Sequence, residues 1–566
     1  PTSADLPPEQ ETRNTQNDSL NRLAATAKYG AFAASQLQTE ETLKLENDVL
    51  RYTISTKGAQ IVEAVLKNHT DFRGDTIYLI KDGNASFNMQ FTTIDGRTLN
   101  TKDLNFIPNL TQGESPVLEL RLETGKDAYI AFRYGLKPGE YMTDFSIRSK
   151  GMNAVLNTAT PVEVQWGMTT YRLEKSVSYE NRYTELIYEY EGGKDDYLAQ
   201  RTYAEDTEQQ VSYISFKQHF FNTTLLTDKP FQQARLVSEN LVADEAIDTL
   251  VTKRFAAQFP LEFSNGDLDY TMNLYSGPTD FQVLNAYDRN LDEIVPLGWG
   301  IFGWINKWLF IPLFTFLSST LGNYGISIIL MTIIVRIVLS PVLYKSYLAQ
   351  AKMKILRPEI NKISEKYKDN PMKRQQETMR IQSESGASPL SGCLPGLMQL
   401  PVFYALFMFF PSAFVLRQKG FLWAEDLASY DTIFNLPFHV WFYGDHVSLF
   451  PILASIAILI YMMMTTGDTM QQSQPGMPNM KFLIYLSPIF MLIFFNNYAS
   501  GLSLYYFISN LITIGIMLVI KNFIIKPEKV LAKIEAHRQK PKKQGRFSRK
   551  LKQIMEEAER QQKQKK

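Results

Sequence analysis

One fixed positive charge lies inside an apolar stretch: Arg336, within Gly325–Tyr344, which reads GISIILMTIIVRIVLSPVLY. About twenty apolar residues are enough to cross a bilayer as a helix. A guanidinium at the bilayer centre costs at least about 2.5–3.5 kcal/mol, so it belongs against a water-filled cavity or a partner and not against lipid. The competing reading is a side chain that snorkels to the interface, because the polar end at Lys345 is close by. Thr332 precedes the arginine by one helical turn and shares its face. Gln399, Ser509, Asn510 and Thr513 lie in other apolar segments. Taken singly, each fits an interhelical hydrogen bond worth about 0.6 kcal/mol. Gathered around an arginine, they would line a hydrated pocket. The apolar segments hold no acidic residue to neutralise Arg336, so its charge is available to an anionic passenger. No Walker loop, HExxH pair or GxSxG elbow occurs in this half, which leaves no nucleotide-driven or hydrolytic chemistry to assign.

The elements that position these residues are five apolar segments, at about 325–344, 393–416, 449–464, 482–495 and 502–520. The fourth is short, and only Asn496–Gly501 separates it from the fifth, so those two form a tight hairpin. Between the first and second lies 345–388, with ten Lys+Arg against five Asp+Glu. Its composition, and the break at Asp369-Asn370-Pro371, predict two antiparallel helices. Residues 298–318 hold Trp299, Trp304 and Trp308 beside Lys307, and the stretch 286–320 reads as an amphipathic helix lying on the membrane surface.

The first half differs in kind. Residues 1–290 hold 28 Lys+Arg against 41 Asp+Glu, and the remainder 31 against 17, although the whole chain nets only +1. Residues 1–41 are polar and read as a linker. Over 42–285, short alternating or β-branched stretches such as Val49–Ser55, Ala128–Tyr134, Val211–Phe216 and Asp267–Leu274 are broken by Lys-Gly, Asp-Gly and Pro-Gly pairs, which predicts a large β-sandwich. Its tyrosines fit packing between strands or a carbohydrate platform. His69 and His219 fit structural or catalytic roles. A single cysteine, Cys393, excludes an intramolecular disulfide framework, and five scattered histidines offer no metal cluster. The basic loop 345–388 and the tail 526–566 fall on one side of five spans, the acidic β-domain on the other, so the basic side reads as cytoplasmic. The fold class is α+β: a periplasmic β-supersandwich, then a five-helix transmembrane bundle (321–525) with a cytoplasmic helical hairpin.

The chain resembles the YidC-type membrane protein insertases in their long form. The resemblance is carried by SPVLYKSY after Arg336, SPLSGCLPGLMQLPVFYALF at 388–407 and SGLSLYYFISNLITI at 500–514, and more weakly by NDVLRYTISTKGAQIVEAVLKNH at 47–69, FKQHFFNT at 216–223 and YSGPTD at 275–280. It covers about residues 42–525. The resemblance implies a non-enzymatic insertase and chaperone of the bacterial inner membrane, without a cofactor or metal. It further implies that Arg336 and Thr332 occupy a hydrophilic groove and that Phe494, Tyr505 and Tyr506 form an apolar exit surface. The β-domain is expected to have a sugar-epimerase-like fold without its catalysis. Implied partners are nascent membrane proteins, the Sec translocon, membrane lipids and, through the basic tail, the ribosome; no DNA contact is expected. Two departures stand out. The long form begins with a further N-terminal span, whose removal from this chain is the expectation. Asn497-Tyr498-Ala499 stands where a Phe-Pro pair often precedes SGL.

Two other classes remain open to the residues. A small-solute transporter with an external accessory domain would place its site between related halves. A tethered carbohydrate enzyme would bring a carboxylate and a histidine together in the β-domain.

Overall fold

The computed structural model describes residues 20, 22–125, 127–245, 247, 249–387, 394–466 and 480–539. Cys393, the start of the 388–407 block and the basic clusters after residue 539 lie outside the described residues. The described chain divides into two compact units. The first takes in the chain up to Phe310 with Ala405–Leu449 and Ile493–Leu502; the second takes in Ile311–Tyr404, Phe450–Leu492 and the chain from Ser503.

The first unit is built on antiparallel strands. Thr42–Glu46, Leu50–Ser55, Ile61–Thr70 and Thr76–Ile80 pair in chain order into a four-stranded sheet. A larger sheet is centred on Tyr203–Lys217 and Phe221–Asn240, paired from Tyr203↔Glu239 to Lys217↔Asn222. The period-two pattern sets which side chains enter the core. In Val162–Tyr171, Val162, Val164, Trp166 and Met168 are buried while their neighbours are more open. Trp166 stacks on Phe216 with ring centroids 3.9 Å apart.

The stretch expected to be a polar linker is ordered from residue 22. Residues 22–29 are helical and Gly30–Leu37 forms a 3-10 helix. Phe32 is fully buried, its ring 5.4 Å from that of Phe91. A single aromatic anchor has no periodicity, so pattern reading passes over it. The surface helix expected over 286–320 begins only at Ile301, after a 3-10 turn at Leu291–Ile294, and passes through a π-helical turn at Asn306–Phe310. Its helix Ile301–Leu321 is also long and apolar enough to cross a membrane.

Segments from the second half of the chain complete this unit. His219 Nε2 lies 2.8 Å from the Pro411 carbonyl oxygen. Ser500 N donates to Ser429 O at 2.7 Å, and Arg182 Nη1 donates to the Tyr498 hydroxyl at 2.6 Å.

The second unit is helical. Asn323 caps Tyr324–Lys366, a single helix of 43 residues, its Oδ1 accepting from Ile326 N. At 1.5 Å per residue it is about 65 Å long, roughly twice the hydrocarbon thickness of a bilayer. The first apolar segment and the first arm of the basic hairpin are therefore one continuous helix. Asn370 caps the second arm, Pro371–Glu384, with proline in its first turn. Leu394–Ser412, Leu449–Thr466, Met480–Phe495 and Ser500–Val519 follow the remaining apolar segments. Pro527–Arg538, at the start of the segment expected to be a tail, is also helical; its Val530 and Ile534 pack against Leu356, Ile360 and Ala387.

Candidate functional site

The helix Tyr324–Lys366 turns Ile328, Met331, Thr332, Val335 and Arg336 to one buried side, the i, i+3, i+4 spacing of a single face. Arg336 is 2% exposed. Its Nε donates to Ser509 Oγ at 2.7 Å, its Nη2 reaches the same oxygen, and its Nη1 donates to Gln399 Oε1 at 2.9 Å. Three helices thus converge on one guanidinium through neutral oxygens. Among the described residues no carboxylate forms an ion pair with Arg336. The cation is held inside protein, and the snorkelling alternative does not describe it.

The other expected groove residues share these faces but bond elsewhere. Thr332 Oγ1 donates to Ile328 O at 2.6 Å, and Thr513 Oγ1 to Ser509 O at 2.7 Å. Asn510, half-buried, donates from Nδ2 to Tyr506 O at 2.8 Å. Each hydroxyl or amide closes onto its own helix one turn back, a common way for such side chains to be satisfied without crossing to a neighbour. Only Arg336, Gln399 and Ser509 are directly joined.

The expected exit surface is corrected in part. Phe494 is 57% exposed and its ring stacks 5.3 Å from Tyr498. Tyr505 and Tyr506 are 1% and 5% exposed, and the Tyr506 ring packs 5.2 Å from Phe403. The reason is helical phase: Leu502, Tyr505, Ser509 and Thr513 form one inward stripe, so the tyrosines share the buried side of Ser509.

Farther along the arginine helix lies a cavity of about 730 Å³, which the sequence did not announce. Tyr347, Lys354, Arg357, Met464, Met517 and Lys521 are among the residues lining it. Its signal in the sequence is the basic hairpin itself; the methionines come from the ends of two apolar helices.

Among the described residues, neither β-domain histidine is paired with an acid. His69 Nε2 is 3.0 Å from the Tyr141 hydroxyl, and burial pushes its pKa down to about 4. His219 bonds the Pro411 carbonyl and stacks on Tyr183 and Phe220; burial, with Lys217 and Arg417 nearby, pushes it down to about 3. Both imidazoles are neutral at physiological pH. Among the described residues no group of three or more His, Cys, Asp or Glu is arranged to hold a metal ion.

Fold and site together define a class: a membrane protein in which a β-domain precedes an apolar helical core with a buried arginine held by neutral oxygens. Residues 42–312 match the family described as the YidC periplasmic domain, and 316–528 the family described as 60Kd inner membrane protein. The chain is 38% identical over 561 residues to the membrane protein insertase YidC of Parabacteroides distasonis, covering 96% of this chain and 87% of that one. It is 35% identical over 570 residues to that of Porphyromonas gingivalis W83, covering 97% and 89%. A crystal structure of an active YidC insertase is similar at 18% identity and a TM-score of 0.33, covering 86% of this chain and 94% of that one. The chain belongs to the YidC family of membrane protein insertases. It is therefore an inner-membrane protein whose work is not enzymatic and whose clients are nascent membrane proteins.

Proposed function

We propose that Arg336, with Gln399 and Ser509, forms the polar wall of an intramembrane groove through which a client's hydrophilic flank passes. The observation that carries this reading is a guanidinium buried among neutral acceptors. A polar flank loses several kcal/mol for each charge or unsatisfied amide taken through hydrocarbon. A polar groove reaching partway across shortens that path, and an arginine without a resident carboxylate attracts acidic residues in the leading segment. Burial of the client's apolar segment in lipid then draws it out of the groove, with no nucleotide consumed. Thr332, Asn510 and Thr513 contribute polarity to the same faces, and Phe494 offers an apolar surface to the departing segment.

In this reading the acidic β-domain is periplasmic, and the basic hairpin 345–388 and the C-terminus are cytoplasmic, in keeping with the positive-inside rule. The excess of Lys and Arg in the hairpin and tail suits a ribosome or anionic lipid, and the insertase acts alone or beside the Sec translocon.

The test is protease-protected insertion of a short client with an acidic external tail into liposomes holding the purified protein. Wild type inserts it, Arg336→Ala does not, and Arg336→Lys retains partial activity. Equal insertion by all three removes the arginine from the mechanism.

A further inference from the structure

We infer that the β-hairpin 434–447 is an interfacial membrane anchor whose aromatic tip dips into the lipid headgroup and upper acyl region. The hairpin pairs Phe434–Val440 with Gly444–Val447 and joins no other sheet. A two-stranded hairpin is marginal by itself in water; the return strand of this one is held against protein, His446 being 3% exposed and stacked on Tyr430, while the strand Phe434–Val440 is left open. The side chains indicate which surface it meets. Phe434, Phe438, Trp441 and Phe442 are all more than half exposed, with Trp441 at 80%. Contiguous exposed aromatics on a soluble face mark an interaction site, and Trp in particular is enriched where a membrane meets water.

The backbone is shaped to present them. Pro437 cannot donate to a ladder, and the pairing is interrupted around it, between Asn435↔His446 and Val440↔Gly444. Phe442 occupies the left-handed region at φ +64°, an uncommon conformation for a bulky side chain. The turn thus accepts strain while leaving two adjacent, mutually tilted rings, Trp441 and Phe442, exposed with centroids 4.0 Å apart.

The position of the tip is fixed by one buried residue. Asn496 directly follows the apolar helix Met480–Phe495, and its Nδ2 donates to Tyr443 O and His446 O, both at 2.8 Å. Its carbonyl oxygen accepts from His446 Nε2 at 2.9 Å and from Ser448 Oγ at 2.8 Å, and its Oδ1 accepts from Ser448 N at 3.0 Å. Asn497 Nδ2 adds a bond to Tyr443 O at 3.0 Å. The turn is therefore knotted to the end of one apolar helix, and its outgoing strand runs straight into another, Leu449–Thr466. In a membrane protein the ends of apolar helices define the interface level, so Trp441 and Phe442 lie at that level. Asn497, the first residue of the stretch where the family resemblance suggested a Phe-Pro pair, thus helps to hold the hairpin. The occupant is lipid, because the tip is bound to the helix ends that lipid surrounds, and its strands carry almost no charge for a protein partner to read.

The test uses the full chain with Cys393→Ser and a polarity-sensitive fluorophore on Trp441→Cys or Phe438→Cys, reconstituted into phosphatidylethanolamine/phosphatidylglycerol vesicles without other protein. Gln209→Cys, exposed on the β-domain, is the aqueous reference. Blue-shifted emission, and quenching by shallow acyl-chain nitroxide lipids at least about twofold stronger than at the reference, support the anchor. Water-like emission with no lipid quenching at both hairpin positions overturns it, as does protection that appears only when a client or a second protein is added. An Asn496→Ala variant that abolishes quenching while the other labelled positions behave as before supports the knot. The readout is depth alone, so it stands or falls independently of the groove around Arg336.

Discussion

Arg417 Nε lies 2.7 Å from Glu174 Oε1, with the two side chains only 4% and 10% exposed. The pair joins the segment after the helix Leu394–Ser412 to the β-domain, and the guanidinium also covers the Phe221 ring at 4.9 Å. Burial raises the Glu174 carboxyl, and Arg417 opposes that shift. Glu180, accepting from the amides of Leu173 and Glu174, is raised by burial and by its acidic neighbour. Removing one partner of a buried pair costs about 3–5 kcal/mol, whereas replacing both by apolar groups is often neutral. Arg417→Ala should therefore lower the thermal midpoint of the detergent-solubilised chain and expose 413–449 to protease. The double variant Arg417→Met/Glu174→Leu should recover most of the loss. Equal damage by single and double variants would show that the attraction is not the cause.

The Arg336 cluster makes a graded prediction. Gln399→Leu removes one hydrogen bond to the guanidinium and Ser509→Ala the shared acceptor of two, each bond to a charged group being worth about 1.5–3 kcal/mol. Thr332→Val and Thr513→Val remove bonds that close within one helix and should change stability by less than about 0.6 kcal/mol. Thermal midpoints and liposome insertion rates of the four variants should separate into these two pairs.

His219 gives a pH dependence whose sign is fixed. The unfolded imidazole takes a proton near pH 6.5, the folded one only near about 3. Between those values the unfolded state binds more protons, so stability is full above pH 6.5 and falls as pH drops, by up to about 1.4 kcal/mol per unit. His219→Gln should flatten the midpoint-versus-pH curve between pH 6.5 and 4 relative to wild type. The two buried glutamates titrate in both proteins and cancel in the comparison.

Exposure separates Phe494 from the tyrosines. A photoreactive residue at 494 should crosslink to a client arrested during insertion, and the same residue at 505 or 506 should crosslink mainly within the chain. Strong client adducts at 505 would mean that the helix Ser500–Val519 turns during insertion.

The apolar segments and the alternating strands were legible because each is a local pattern, and Arg336 because one charge in a hydrocarbon-length run is conspicuous. Three features were not. Arg417 and Glu174 are 243 residues apart, and no local period links them. Tyr505 and Tyr506 sit in a helix apolar on nearly all sides, where composition does not distinguish a lipid-facing ring from an inward one. The strand Phe434–Val440 shows no alternation because both of its faces are largely open, and its partner Gly444–Val447 is too short to declare a period.

The unbroken helix from Tyr324 to Lys366 makes the basic hairpin arm a lever. Pro341 removes one backbone donor five residues after Arg336, and the carbonyl it frees, at Ile337, accepts instead from Ser340 Oγ at 2.8 Å. The rod therefore has a flexure point that bends without stranding a polar group. From Pro341 to the next proline in the helix, Pro358, is about 26 Å, so a tilt of roughly ten degrees at the first proline swings the second by about 4 Å.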